Sequence, residues 1–308
     1  MKLKRLLICC FVATMALCGC QSNDSNSTDT VETTETTYTF KSEDTVIKSK
    51  RDTDIHATVV VPETEDKYPY VVMLHGFMGD RSGCDIFEPI ANNLAEQGIA
   101  SVRIDFSGNG ESSEPYTEYT MTNMNDDITS AIEFMQNEYQ GDANSVALLG
   151  HSMGGRATAL YLNDSIKTAV LIAPAANTGF SGLADFMDGM EEVNRMYEEA
   201  KQNGTAQFTA WGEPYLDLSL TFFEENENAD PLKTISDYNG NLFIAVASDD
   251  DAISKDTTNA VINAAKEIEV LNVPNANHIF AAADGSDSLE SRDLLVEKAS
   301  AFLIETLK

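Results

Sequence analysis

Apolar positions along this chain fall into short continuous runs separated by stretches of helical spacing. Residues 38–48 and 55–61 alternate partly between polar and apolar side chains, as paired strands at the start of a sheet do. Tyr70-Val71-Val72-Met73-Leu74 is apolar throughout, which fits a strand covered on both faces. Between 86 and 97, Ile86, Phe87, Ile90 and Leu94 line one helical stripe that stops at Gly98. The same reading predicts strands at 99–106, 145–149, 168–173, 241–247 and 267–273. It predicts helices at 121–139, 255–265 and 287–307, with helix formers also filling 155–162.

Strands that alternate with helices require right-handed crossovers, and so predict an α/β fold with a mostly parallel central sheet covered by helices on both faces. One interval breaks the rhythm. About sixty residues, 175–238, separate two sheet strands, far more than an ordinary connection. They include Phe180, Phe186, Met187, Met190, Met196, Tyr197, Phe208, Trp211, Tyr215, Phe222 and Phe223. The interval reads as a partly helical cap; the plainer alternative is an insertion whose aromatics pack only on one another.

The amino terminus follows a different logic. Lys2, Lys4 and Arg5 precede an apolar stretch at 6–17 that is too short for an ordinary membrane span, as in a secretory signal. The segment ends Leu17-Cys18-Gly19-Cys20, which resembles a bacterial lipobox with Cys20 as the lipidated residue. This divides the chain into a signal peptide at 1–19, a tether at 20–37 without apolar periodicity, and a folded domain at 38–308 carrying the cap. It also implies an exported protein held at the outer face of the cytoplasmic membrane. With Cys9, Cys10 and Cys18 removed and Cys20 lipidated, only Cys84 remains, so the domain cannot close an internal disulfide. Losing residues 1–19, which contain three cations and no acid, takes the formal charge from −30 to −33. Such a body repels nucleic acid and anionic lipid surfaces.

Gly150-His151-Ser152-Met153-Gly154 carries the chemistry. It reads G-x-S-x-G between a buried-strand run and a helix, the context in which a serine is held on a sharp turn with its hydroxyl exposed. Small residues are needed at both ends because side chains there meet the neighbouring strand and helix. A serine hydroxyl needs an oriented base. Of the four histidines, His151 sits on the turn itself, His75 ends a central strand and His56 lies in the first strand pair. His278, in the loop after the last strand, is the one placed to reach back over the sheet's carboxyl edge. The orienting acid belongs at the end of the preceding strand, where Asp249, Asp250 and Asp251 stand together.

From Tyr70 to Phe280 the chain resembles α/β-hydrolases of the serine esterase type, and within them the bacterial cinnamoyl (feruloyl) esterases. The resemblance rests on the serine turn, on His75-Gly76-Phe77-Met78-Gly79, and on Asp105-Phe106-Ser107-Gly108-Asn109-Gly110-Glu111-Ser112. It maps the acid to Asp250, with Ala247 standing where the family has glycine and Asp251 as second choice. It implies a triad of Ser152, Asp250 and His278 and an oxyanion hole formed by the N–H groups of Phe77 and Met153. The implied reaction is hydrolysis of a small carboxylic ester through an acyl-enzyme, with no cofactor. No metal is expected, since neither H-E-x-x-H nor paired Cys/His spacing occurs. A peptidase or other acyl hydrolase of the same fold and a non-catalytic surface-binding lipoprotein are the alternatives.

Overall fold

The computed structural model describes residues 37–308, except residues 211 and 212 and the side chains of 210–215. The signal segment, Cys20 and the tether up to residue 36 lie outside the described residues. The chain opens with an antiparallel pair, β1 (Phe40–Lys48) and β2 (Asp54–Pro62), in which Val46 faces His56. There follow β3 (Tyr68–Leu74), α1 (Phe87–Glu96), β4 (Ala100–Ile104) and α2 (Met121–Asn137). Next come β5 (Gly141–His151), α3 (Met153–Tyr161) and β6 (Thr168–Ile172). The interval then holds α4 (Ser181–Ala184), α5 (Met190–Asn203), β7 (Thr205–Ala210), β8 (Glu213–Ser219), α6 (Leu220–Glu227) and α7 (Pro231–Asp237). The chain closes with β9 (Asn241–Ala247), α8 (Lys255–Ala264), β10 (Glu269–Val273) and α9 (Glu290–Leu307).

Among the described residues, eight strands form one sheet in the order β1-β2-β4-β3-β5-β6-β9-β10. All neighbours from β4 to β10 are parallel; only β2 runs against both β1 and β4. Strand side chains alternate between the two faces, and each face carries its own core. Val71, Met73, Ala147 and Leu149 join Phe87, Ile90, Leu295 and Leu303, the apolar stripes of α1 and α9. Tyr70, Val72, Leu74 and Leu148 join Ile128, Met135 and Ala157 from α2 and α3 on the opposite face. The periodicity of the sequence therefore locates the helices on both sides of the sheet. This is the α/β-hydrolase fold.

Two differences from the sequence reading have local causes. β5 starts at Gly141 rather than 145 because Tyr68 pairs with Gly141 before a register shift brings Tyr70 opposite Val146. The cap contains an antiparallel hairpin, β7–β8, as well as helices. Gly204, at φ +83°, ends α5 in a left-handed turn that an L side chain resists, and the chain leaves it directly into β7.

Candidate active site

Ser152 stands between β5 and α3 with φ 54° and ψ −116°, a conformation that L residues rarely adopt. Main-chain bonds lock it there. Its N–H donates to Ile172 O at 2.9 Å, and its carbonyl accepts from Arg156 N–H and Ala175 N–H, both at 3.1 Å. The glycines around it have no room for a side chain. A Cβ on Gly150 would lie 2.1 Å from Gly154 O, and one on Gly154 would lie 2.0 Å from Leu74 O. The small residues of the motif are thus a steric requirement of β3, β5 and α3 meeting at one point.

His278 and the acids sit in the loops that follow β10 and β9. His278 Nδ1 lies 3.0 and 3.2 Å from the two carboxylate oxygens of Asp250. A carboxylate only accepts, so Nδ1 carries a proton, and in the neutral ring Nε2 keeps its lone pair. Asp250 Oδ1 also accepts from Ala252 N–H at 2.9 Å and Ile253 N–H at 2.8 Å. Burial pushes the Asp250 carboxyl up, but the hydrogen bond and charge of His278, with the two N–H groups, outweigh it and hold the acid below its ordinary value. Asp251 accepts from the main-chain N–H of His278 at 3.3 Å, not from the ring, and Asp249 accepts from the Ser248 hydroxyl. Of the three aspartates, Asp250 alone orients the imidazole. Among the described residues no hydrogen bond joins His278 to the Ser152 hydroxyl, a contact that commonly tightens only when substrate is bound.

The His75–Gly79 loop lies against the serine: a Cβ on Gly76 would fall 3.0 Å from Ser152 Cβ. His75, fully buried, accepts from Phe106 N–H at Nε2 (3.0 Å) and so donates from Nδ1 to Gly76 O (2.7 Å). Burial holds this imidazole below its ordinary pKa, which keeps it neutral for both roles. In a trans peptide the C=O and the following N–H point in opposite directions, so fixing Gly76 O also aims the Phe77 N–H. Gly79 N–H donates to the same oxygen at 3.1 Å, and Met78 N–H donates to the Tyr116 hydroxyl at 3.1 Å. Among the described residues the Phe77 and Met153 N–H groups donate to no protein acceptor. Met153 is the first residue of α3, where helical N–H groups have no partner in the helix.

The glycine-rich loop at 105–112 supports this arrangement. It wraps the Asp105 carboxylate, which accepts from Glu111 N–H at 3.0 Å, Arg81 N–H at 2.7 Å and the Arg81 guanidinium. Gly110 is needed because a Cβ there would fall 2.3 Å from the Asp105 carboxyl carbon. A cavity of about 490 Å³ runs beside the His75–Gly79 loop, lined by Met78, Asn109, Tyr116, Leu216 and Asp217 among others.

The cap aromatics divide into two groups. Phe186 and Phe208 pack on the Phe77 ring, with centroids 5.4 and 5.2 Å away. Phe180, Phe222, Phe223 and Met196 are buried in packing beneath the cap, while the side chains of Trp211 and Tyr215 lie outside the described set. Sequence reasoning also passed over Arg156. Its fully buried guanidinium donates to the carbonyls of Ala175, Asn177, Gly179 and Asn226 and to Asn226 Oδ1, tying α3 to the base of the cap. Burial pushes it down to about 10. A single arginine among small helix-forming residues gives no sequence signal of this role.

A family model described as serine aminopeptidase, S33, matches residues 66–221. An uncharacterised 31.7 kDa Escherichia coli protein is 27% identical over 184 residues, 57% of this chain and 64% of that protein. The AB hydrolase superfamily protein YisY of Bacillus subtilis is 26% identical over 56% of this chain and 60% of its own length. The match thus spans under two thirds of either relative. Among solved structures, Est1E from Butyrivibrio proteoclasticus with ferulic acid bound superposes with a TM-score of 0.66 at 18% identity, covering 85% of this chain and 98% of Est1E. The α/β hydrolase GrgF from a Penicillium species gives 0.68 at 13% identity, covering 87% and 99%.

Proposed function

We propose that this chain, which belongs to the hydrolase family described as serine aminopeptidase, S33, is a serine hydrolase of small carboxylic esters. One observation carries the reading: a strained serine, unpartnered main-chain donors on either side of it and an Asp250-oriented imidazole converge on one rim of the sheet. In the proposed reaction, Ser152 Oγ attacks the ester carbonyl carbon while its proton passes to His278 Nε2. The carbonyl oxygen takes the electron pair and is held by the Phe77 and Met153 N–H groups. The intermediate collapses, the bond to the leaving alcohol breaks, and His278 protonates that alcohol. Water then loses a proton to His278 and attacks the acyl-enzyme, and Ser152 regains a proton as the acid leaves. Asp250 keeps the proton on Nδ1 and stabilises the imidazolium throughout.

Phe186 and Phe208, against Phe77, favour an apolar or aromatic acyl group, with hydroxycinnamoyl or short acyl esters as the candidates. The signal, tether and Cys20 support export and lipid anchoring at the cell surface, with the hydrolase domain at 38–308. The family description favours a second reading, an aminopeptidase. Comparing p-nitrophenyl acyl esters with aminoacyl p-nitroanilides separates them: the first reading expects turnover of the esters alone. Labelling by a fluorophosphonate, abolished in Ser152→Ala along with hydrolysis, is expected; an unlabelled native protein would instead identify a non-catalytic binding protein.

A further inference from the structure

The His151 ring points into the loop that carries His278. Its Nε2 lies 3.0 Å from the His278 carbonyl oxygen, and the two rings face each other with centroids 4.9 Å apart and planes at 38°. Only 3% of His151 is exposed. A Cβ on Gly76 would lie 3.3 Å from His151 Nδ1, so the same ring also packs against the oxyanion loop. One side chain therefore touches all three segments of the site. The geometry points to His151 as a positioning residue, a neutral imidazole that fixes the main chain of His278 and backs its ring.

The physical case rests on what Asp250 leaves undone. Asp250 fixes the His278 ring at Nδ1, but the ring can still pivot with its loop. A carbonyl oxygen only accepts, so His151 must hold its proton on Nε2, and the bond pins the loop at the residue that moves the proton. His151 also has to stay neutral while His278 is charged, because stacked like charges repel. Three groups surround it: His278 from the loop after β10, Asp250 from the loop after β9, and His75 from the end of β3. Burial, reinforced by His278, pushes the His151 imidazole down to about 3, so it does not compete for the proton. A displacement of His278 by roughly 1 Å would cost on the order of 100-fold in rate.

This inference rests on His278 as general base, and the experiment separates the two ideas. kcat and KM are measured on p-nitrophenyl butyrate for His151→Leu, His151→Gln, His151→Asn and His278→Ala. Leu is expected to lower kcat by about 10- to 100-fold with KM changed less than about twofold. Gln, whose amide nitrogen reaches the Nε2 position, is expected to restore most of kcat, and the shorter Asn much less. Equal activity in Gln and Asn, or a folded Leu variant with native kcat, overturns the inference. Imidazole nitrogen NMR of the native protein from pH 5 to 8 provides a readout independent of any variant's folding. It is expected to show His151 as a non-titrating Nε2–H tautomer; a titrating His151 overturns the proposal. Full activity in His278→Ala would overturn the hydrolase mechanism instead.

Discussion

The serine elbow and the cap occupy opposite extremes of constraint in one molecule. At the elbow, β3, β5 and α3 meet so closely that Gly150 and Gly154 face main-chain oxygens at 2.1 and 2.0 Å from where a Cβ would sit. In the cap, Gly189 and Gly204 have nothing within 4 Å of that position. The elbow is held by main-chain bonds that no side-chain change removes. The cap is tied down by side chains, Arg156 and Asp185 among them, and by apolar packing. On the proposed function, chemistry resides where geometry has a single solution, and selectivity resides where side chains can be exchanged.

The sharpest test of this contrast lies at the rim. Asp250→Asn is expected to reduce kcat on the order of 10⁴-fold, because an amide presents the wrong partner to His278 Nδ1. Asp251→Asn, which touches only the main chain of His278, is expected to cost less than about tenfold. Equal losses would remove the distinction between the two acids. Next in size is a glycine pair read by urea unfolding. Gly154→Ala is expected to cost roughly 3 kcal/mol or more by overpacking against Leu74 O. Gly204→Ala, at φ +83° in open space, should cost only the left-handed strain, about 1 kcal/mol.

Acid should loosen the rim before it loosens the cap. His151 is held at about 3, below the ordinary histidine value, so the unfolded chain binds the proton that the folded chain refuses. The stability contributed by neutral His151 is therefore complete above about pH 6.5 and falls by up to about 1.4 kcal/mol per pH unit below it; buried His75 acts in the same direction, and buried Asp127, whose carboxyl is pushed up to about 7, acts against both. Asp250, held low, adds a loss only as pH falls below about 4 through its folded value. Urea melts at pH 7, 5.5 and 4.5 measure the slope, and His151→Gln is expected to flatten it. The smallest effect belongs to the cap. Phe208→Ala should change the ratio of kcat/KM for aromatic over acetyl esters by about two- to tenfold without altering the acetyl rate. A uniform loss across esters would mean that Phe208 supports Phe77 rather than sorting substrates.

Strand runs such as 70–74 and helical stripes such as 86–97 appear in the structure within a few residues, because burial on two faces leaves little freedom in where apolar residues fall. The turn at Ser152 was legible from its glycines. The hairpin in the cap was not, since two short edge strands with no central sheet to cover carry little apolar periodicity. Arg156 and His151 were also illegible as to role: an arginine in a helix usually reaches solvent, and a histidine beside the serine should diverge from it. The His151 ring meets the loop of His278, a contact 127 residues distant in sequence.

Local sequence determined which residues form strands, which turn must be built from glycine, and which few side chains could act as alcohol, base and acid. These depend on periodicity and steric size over short spans of chain. Tertiary structure decided which peptide is turned by His75 and what stands behind the His278 ring. Those choices depend on angles and tenths of an ångström between segments far apart in the chain, and no local pattern encodes them.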